Sequence, residues 1–347
     1  MASSITFKQK SMRRIYFQKR CFNNNMKKYL LITLLIVWTM CQTVIAQTAE
    51  FVPKSLSLIT VDSFISSYKD FYADNSQRIS ALDMLRKRNN IDIDAVTGSI
   101  SYEETRTRLH FQYGLFASIN LGITVPYLSS RRNSNLSLND PAEAAFVDSL
   151  GDAEASGLGD TDIWGLWRLF YTDQADFQLG LKLIDDNAPL NNDVAEKMPL
   201  GSGSKELSLF LRWYLFSIRS SLMTFLEIEH IFIEDAKIKS INGQEILKQQ
   251  SNNFNMKFEV SAHSEQLGYG GGARMQSIGS QKLDGASQND GYLSYGLSGF
   301  LSYGNRYLLE KNIINNPWET RIELEKVFVG SNVPEIQSLS LQFITYF

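Results

Sequence analysis

Twelve stretches of the chain alternate apolar and polar residues with a period of two, the mark of strands whose side chains point to opposite faces of a sheet. They run over 56–67, 99–113, 115–126, 161–171, 174–183, 205–216, 219–232, 253–263, 265–278, 291–303, 316–329 and 337–347. In 115–126, Leu115, Ala117, Ile119, Leu121, Ile123 and Val125 oppose Ser118, Asn120, Gly122 and Thr124. In 174–183, Phe177, Leu179, Leu181 and Leu183 oppose Gln178, Gly180 and Lys182. In 253–263, Phe254, Met256, Phe258, Val260 and Ala262 oppose Asn255, Lys257, Glu259 and Ser261. In 316–329, Trp318, Thr320, Ile322 and Leu324 oppose Glu319, Arg321, Glu323 and Glu325. One face is apolar and the other is wet.

A soluble sandwich also alternates, so the connections decide. They run long (68–98), minimal around Gly114, long (127–160), short at Thr172-Asp173, long (184–204), short at Ser217-Ile218, long (233–252) and short near Ser264. The breaks 279–290, 304–315 and 330–336 follow, and 304–315 is longer than the rhythm asks. Alternating tight turns and long loops characterise outer-membrane barrels. In lipid every backbone polar group must be paired within the protein, and a closed sheet does this without an edge. The reading is all-β: a closed antiparallel transmembrane barrel of about 12 strands, both termini on the tight-turn, periplasmic side. Tyr127, Tyr171, Trp213, Tyr214, Trp318, Tyr346 and Phe347 lie near strand ends, where interfacial girdles form. The last strand alternates Leu339, Leu341, Phe343 and Phe347. A terminal strand ending in Phe resembles the signal that the barrel assembly machinery reads.

The N-terminus changes the picture. Met26-Lys27-Lys28 is a basic start, Leu30–Trp38 an apolar run, and Val44-Ile45-Ala46 a small-residue cleavage site before Gln47. We read 26–46 as a signal peptide, 1–25 as an upstream extension from a misassigned start, and 47–347 as the barrel. A membrane anchor would need a longer run, and a lipoprotein at Cys41 would need small or aliphatic residues in place of Trp38-Thr39-Met40. Eight of the 34 Lys and Arg and none of the 37 Asp and Glu precede Gln47, so the exported chain carries a net charge near -11. That argues against nucleic acid as a partner. Both cysteines, Cys21 and Cys41, also lie upstream, which rules out disulfides and thiolate metal sites in the exported chain. Outer-membrane lipid and lipopolysaccharide, the assembly machinery and a small-molecule solute are the expected partners.

Two stretches go beyond general barrel character. One is Ser156-Gly157-Leu158-Gly159-Asp160-Thr161-Asp162-Ile163-Trp164-Gly165-Leu166-Trp167-Arg168-Leu169-Phe170. The other runs from Leu179-Gly180-Leu181-Lys182-Leu183 to Pro199-Leu200-Gly201-Ser202-Gly203-Ser204-Lys205-Glu206. These resemble the outer-membrane barrels of the MetA-pathway of phenol degradation family, in its Gly-x-Gly-Asp strand entry, Gly-Leu-Lys strand and Gly-Ser-Gly turn. Gln112–Phe116 and Gly122–Tyr127 resemble its second hairpin. The resemblance covers about the middle third, and Ile184-Asp185-Asp186 departs from the Pro-Thr-Gly such proteins often carry. It implies uptake of hydrophobic aromatics. Locally, Gly157, Gly159, Gly201 and Gly203 bend long loops into strands; a phosphate-cradling loop would need a following helix, which the pattern lacks.

Candidate chemistry is sparse. His110 shares a face with Glu104, Arg106, Arg108 and Gln112; His230 and His263 lie near strand ends. No His-x-Ser motif of the phospholipase type occurs, so a barrel lipid hydrolase is the third reading; no catalytic, cofactor or metal residue is assigned. The expected lumen residues are Glu104, Arg106, Arg108, His110, Asp162, Arg168, Lys182, Arg212, Glu227, Glu229, Lys257, Glu259, Arg274, Glu319, Arg321, Glu323 and Glu325. They would form either a lattice of matched charges or the rings of a selective pore. A short helix is expected over 140–148, in a loop able to gate the mouth or bind at the surface. The first functional expectation is a passive channel for small, hydrophobic or aromatic, solutes. The second is a non-conducting structural or surface-binding barrel.

Overall fold

The computed structural model describes residues 51–347 apart from 74–75, 187–203, 218–220, 240–244, 265, 284, 288–290 and 306–316. The signal peptide, Ala46, Gln47, the Gly201–Gly203 turn and most of the 304–315 connection lie outside the described residues.

Twelve strands form the barrel: β1 (Ser57–Tyr68), β2 (Val96–Phe116), β3 (Ile119–Leu138), β4 (Asp162–Tyr171), β5 (Ala175–Ile184), β6 (Glu206–Phe216), β7 (Leu222–Ile233), β8 (Asn253–His263), β9 (Leu267–Ile278), β10 (Tyr292–Gly304), β11 (Trp318–Ser331) and β12 (Gln337–Tyr346). Each pairs antiparallel with its chain neighbours. β1 closes the circle against β12, from Leu58 opposite Tyr346 to Ser67 opposite Gln337. No edge remains on the barrel, so its backbone groups are satisfied without water.

The outward positions make the fold a membrane fold. Leu109, Leu121, Ile163, Trp167, Leu183, Trp213, Leu297, Leu301, Ile322, Leu324 and Leu341 are all exposed, up to 68% at Leu301. Each such side chain left in water forgoes about 1.5–3 kcal/mol of burial, whereas hydrocarbon covers it. Phe170, Tyr171, Trp213, Tyr269, Tyr303 and Phe347 are exposed near the tight-turn end, as a girdle requires. Two expected girdle residues are corrected: Tyr214 and Tyr346 are only 3% exposed. With Trp213 and Phe347 facing out, the period of two turns their neighbours into the lumen.

The second hairpin differs most from its expectation. Its turn is at Ala117-Ser118 rather than Gly114, after a bulge at Leu115. β2 and β3 also run well past the barrel, pairing as far as Val96 opposite Leu138, where the sequence suggests loop. A strand Ala153–Leu158 joins this extension, and Gly159 then donates its N–H to the Pro126 carbonyl at 2.9 Å. The Gly-x-Gly-Asp motif is the bend that returns the chain into β4.

The extension carries a cap with its own core. Helix α1 (Ala81–Asn89) is capped by the Ser80 hydroxyl, which accepts from Asp83 N at 3.0 Å. Ala81, Leu82, Val96, Ile100 and Leu150 are buried together, with Phe71, Leu136 and Phe146 against them. The helix expected at 140–148 is present as a 3-10 turn, Pro141–Glu143, followed by helix α2 (Ala144–Ser149). Arg86 donates to the carbonyls of Ile93 and Val96 and pairs with Asp83, fastening α1 to β2. Burial alone would raise the Asp83 carboxyl, but the Ser80 hydroxyl and the Arg86 guanidinium outweigh it and hold it below the ordinary carboxylate range.

Candidate functional site: the lumen and its N-terminal strap

The inward positions enclose a cavity of about 730 Å³. Of the seventeen expected lumen residues, fifteen border it: Arg106, Arg108, His110, Asp162, Lys182, Arg212, Glu227, Glu229, Lys257, Glu259, Arg274, Glu319, Arg321, Glu323 and Glu325. Glu104 stands beside it, paired with Arg106 at 2.8 Å. Arg168 lies lower, its Nη2 2.7 Å from a fully buried Asp176. A second cavity of about 390 Å³ lies at the loop end, between Tyr68, Phe71, Ile233, Asn253, Tyr292 and Pro334.

The charges meet in opposite-sign pairs. Lys182 Nζ is 2.7 Å from Glu229 Oε1, and that carboxylate also accepts from Ser208 at 2.6 Å and Asn255 at 2.9 Å. Arg212 Nε donates to Glu227 at 2.6 Å. Arg108 pairs with Asp62, which accepts from Ser340 Oγ at 3.0 Å. Arg321 Nη2 reaches Glu259 at 2.9 Å and Glu323 at 2.8 Å, and Lys257 stands 3.4 Å from Glu259. Arg274 and Glu325 are 4.0 Å apart. All eight expected lumen cations thus face a carboxylate, which offsets the cost of taking them from bulk water. The arrangement matches the lattice more closely than a ring of one sign. Two of the carboxylates, Asp62 and Asp176, were not among the expected residues. Each sits on the polar face of a strand already recognised, so carrying the alternation one step further along β1 and β5 would have found them.

The Arg321–Glu259 contact spans two intervening strands. Its reach depends on the small inward residues of β9 and β10: Gly268, Gly270, Gly272, Gly296, Ser298 and Ser302. A Cβ at Gly270 would stand 2.6 Å from the Phe300 ring, over which the Arg321 guanidinium lies at 3.5 Å. The glycines therefore leave room for one ring and the cation above it.

The histidines hold ordinary structural positions. His110 Nδ1 is 2.9 Å from Thr124 Oγ1, a hydroxyl that also accepts from Trp164 Nε1 at 3.3 Å. His230 faces outward, edge-on to Phe232. His263 borders the cavity at the tight-turn end. Among the described residues no group of three or more His, Cys, Asp and Glu is placed to hold a metal ion.

The sequence reading missed a further component. Residues Phe51–Leu56, before β1, fold into the tight-turn end of the bore. Val52 is fully buried and Phe51 only 5% exposed. Asn120, itself fully buried, clasps the segment: its Nδ2 donates to the Val52 carbonyl at 3.0 Å, and its Oδ1 accepts from Val52 N–H at 2.7 Å and Gln112 Nε2 at 2.7 Å. Ser55 N donates to the Gly114 carbonyl at 2.7 Å, and Gly114 N to the Leu56 carbonyl at 3.0 Å. Phe51 packs on Trp164, Leu166 and Phe210 and lies 3.9 Å from the Arg168 guanidinium. Gly114 is required by this approach, because a Cβ there would meet the Pro53 carbonyl oxygen at 2.1 Å. The sequence signal was a short apolar pair, Phe51-Val52, with no period to place it.

No protein-family model and no curated protein matches the chain. Among solved structures it is similar to an outer membrane channel from Pseudomonas putida F1, with 14% identity and a TM-score of 0.63 over 87% of this chain and 100% of that one. More distant are the translocator domain of the autotransporter NalP from Neisseria meningitidis (9% identity, TM-score 0.43, 86% and 90% covered) and a TodX mutant described as a monoaromatic hydrocarbon channel (9%, 0.40, 85% and 91%). The likeness to the Pseudomonas structure establishes the fold, and with the girdled closed barrel described above it makes this chain a twelve-stranded barrel of the outer-membrane type.

Proposed function

We propose that the protein is a passive channel in the outer membrane of a Gram-negative bacterium, both termini periplasmic, admitting small solutes, hydrophobic or aromatic ones among them, without covalent chemistry. The observation that carries this reading is a polar, charge-paired cavity inside an apolar closed barrel, reaching from Asp162 and Glu325 toward the loops to Gln266 and Gly304 at the tight turns. The tight turns with both termini at one end support the orientation. The Pseudomonas neighbour is an outer membrane channel, which agrees with transport. The motifs at 156–170 and 179–206 support membership of the phenol-degradation barrels. Cleavage between Ala46 and Gln47, recognition of the Phe347 strand by the assembly machinery, and contact with lipid and lipopolysaccharide belong to the same reading.

Purified protein in planar bilayers should give discrete conductance steps, and liposomes carrying it should swell in small solutes. Silence in both assays would overturn the channel reading. The packed cap on β2 and β3 favours one second reading, a surface-binding barrel. In that case deletion of 77–95 would abolish binding to a partner while the barrel stays folded.

A further inference from the structure

The lumen changes character toward its loop end. In its middle the inward residues of β7, β8, β9 and β11 are charged, Glu229, Lys257, Arg274 and Glu323 among them. The same inward parity, carried further along the strands, gives Tyr68 on β1, Ile233 on β7, Asn253 on β8, Ile278 on β9 and Tyr292 on β10. These five side chains line the cavity of about 390 Å³, and all are half-buried. Asn253 borders this cavity and Asn255, two residues on along β8, borders the charged one. The two cavities are therefore successive storeys of one bore.

The upper storey is built from rings and amides. Among the described residues that line it, only Glu206 is charged. Tyr68, Phe71 and Tyr292 supply the rings, and Gln250, Asn253, Gln281 and Asn332 the amides. The parts are held in place. Tyr68 is stacked on Tyr102, with centroids 4.9 Å apart and planes at 16°, and meets Phe71 edge-on at 5.6 Å. Asn332 donates its Nδ2 to the Gly291 carbonyl at 3.3 Å, and Gln250 donates its Nε2 to Ser204 Oγ. A site ordered before its ligand arrives loses less freedom on binding.

The composition selects by chemistry. An amide offers an acceptor oxygen and two donor hydrogens, so it can pair with a hydroxyl in either sense. Aromatic rings cover the apolar C–H face of a saturated ring. A hydrocarbon of the same size would suit the rings but leave the amides unpaired. An anion would meet Glu206 with no cation among the described lining residues to offset it. The volume lies within the range of about 300–1,000 Å³ usual for small-ligand pockets.

We propose that the upper storey is a binding site for a neutral, hydroxyl-rich ring solute, a mono- or disaccharide. The passage of that solute onward rests on the channel reading; its capture at the loop end does not.

Saturation-transfer NMR on the full chain in detergent, with maltose, cellobiose and sucrose as probes and toluene and glucuronate as contrasts, tests the proposal. At least one of the three sugars should bind saturably and glucuronate should not. Tyr292→Ala and Asn253→Leu, shown folded by heat-modifiable migration on gels, should each weaken sugar binding about tenfold, the loss of one stacked or hydrogen-bonded contact. No saturable binding of any of the three sugars would overturn the proposal without touching the channel reading. Toluene binding in their place, tightened by Asn253→Leu, would overturn it as well. Folded variants that bind sugar as the wild type does would put the sugar elsewhere and overturn it. Sugar binding lost in the variants, with no conductance and no liposome swelling in the wild type, would overturn the channel reading and leave the site standing. Should neither variant fold, protection decides. Ser251→Cys lines the cavity in a chain whose native cysteines both precede Ala46, and the bound sugar should slow its reaction with a water-soluble maleimide several-fold. An unchanged rate at saturating sugar would overturn the proposal.

Discussion

The two sides of the lumen are made of different materials. Beneath β4–β6, Trp164, Leu166 and Phe210 are large and apolar, and Phe51 covers them. Along β9 and β10 the inward residues are mostly glycine and serine, and the wall is crossed by the ion pair of Arg321 with Glu259. One side is filled by packing that excludes water. The other is kept open, because charged groups prefer to retain some solvent and glycines supply no bulk. The cavity is bordered by residues of all twelve strands, so the two materials face one another across it. A barrel lumen need not be a uniform polar tube.

This contrast can be broken from either side. The largest expected effect is Arg321→Ala. It leaves Glu259 and Glu323 with only Lys257 nearby, and denaturant unfolding in detergent should show a loss of about 3 kcal/mol, the low end for breaking a buried pair because the lumen is partly hydrated. Adding Glu259→Gln and Glu323→Gln should recover most of it. A triple variant with no recovery would mean that the guanidinium acts by packing on Phe300 rather than by charge. Next comes Phe51→Ala, which removes the apolar anchor of the opposite side. Strap docking should weaken by about 2–3 kcal/mol, read as faster exchange of the Val52 and Ser55 amides, with exchange in β9 and β10 unchanged. Loss of protection in β9 as well would show that the two sides are one cooperative unit. The smallest effect is expected for Gly270→Ala. Its Cβ meets the Phe300 ring and the Val260 carbonyl, so overpacking of about 1–2 kcal/mol is expected, with reduced conductance as the ring swings into the passage. An unchanged conductance would place the passage elsewhere.

Much of the barrel was legible in the chain because a strand between lipid and water is written in a two-letter code. Leu179, Gln178 and Lys182 declare their faces without reference to any neighbour. Strand ends were less clear. In β3 the alternation weakens after Tyr127, where Ser129, Ser130, Arg131 and Arg132 read as loop; there the hairpin leaves the membrane and neither face needs to be apolar. Gly114 misled for a related reason. A glycine between two strands reads as a turn, but this one serves the close approach of Pro53, about sixty residues away in sequence. The expected lumen charges could be named from parity alone. Their partners could not, since Arg321 and Glu259 sit on strands separated by two others.

The sequence by itself determined the class of fold, an approximate strand count and which face of most strands meets lipid, because hydrocarbon imposes one local rule on every spanning residue. Only the tertiary structure decided how the lumen is filled. Whether a buried charge is paired, a glycine makes a turn or a gap, and Phe51-Val52 lies outside or across the bore depends on residues brought together by closure of the barrel. Those contacts carry no periodicity along the chain. The strap is the plainest case: two apolar residues and an asparagine seventy positions on, meaningless apart, become a fitted crossing once β2, β3 and β6 share one cylinder.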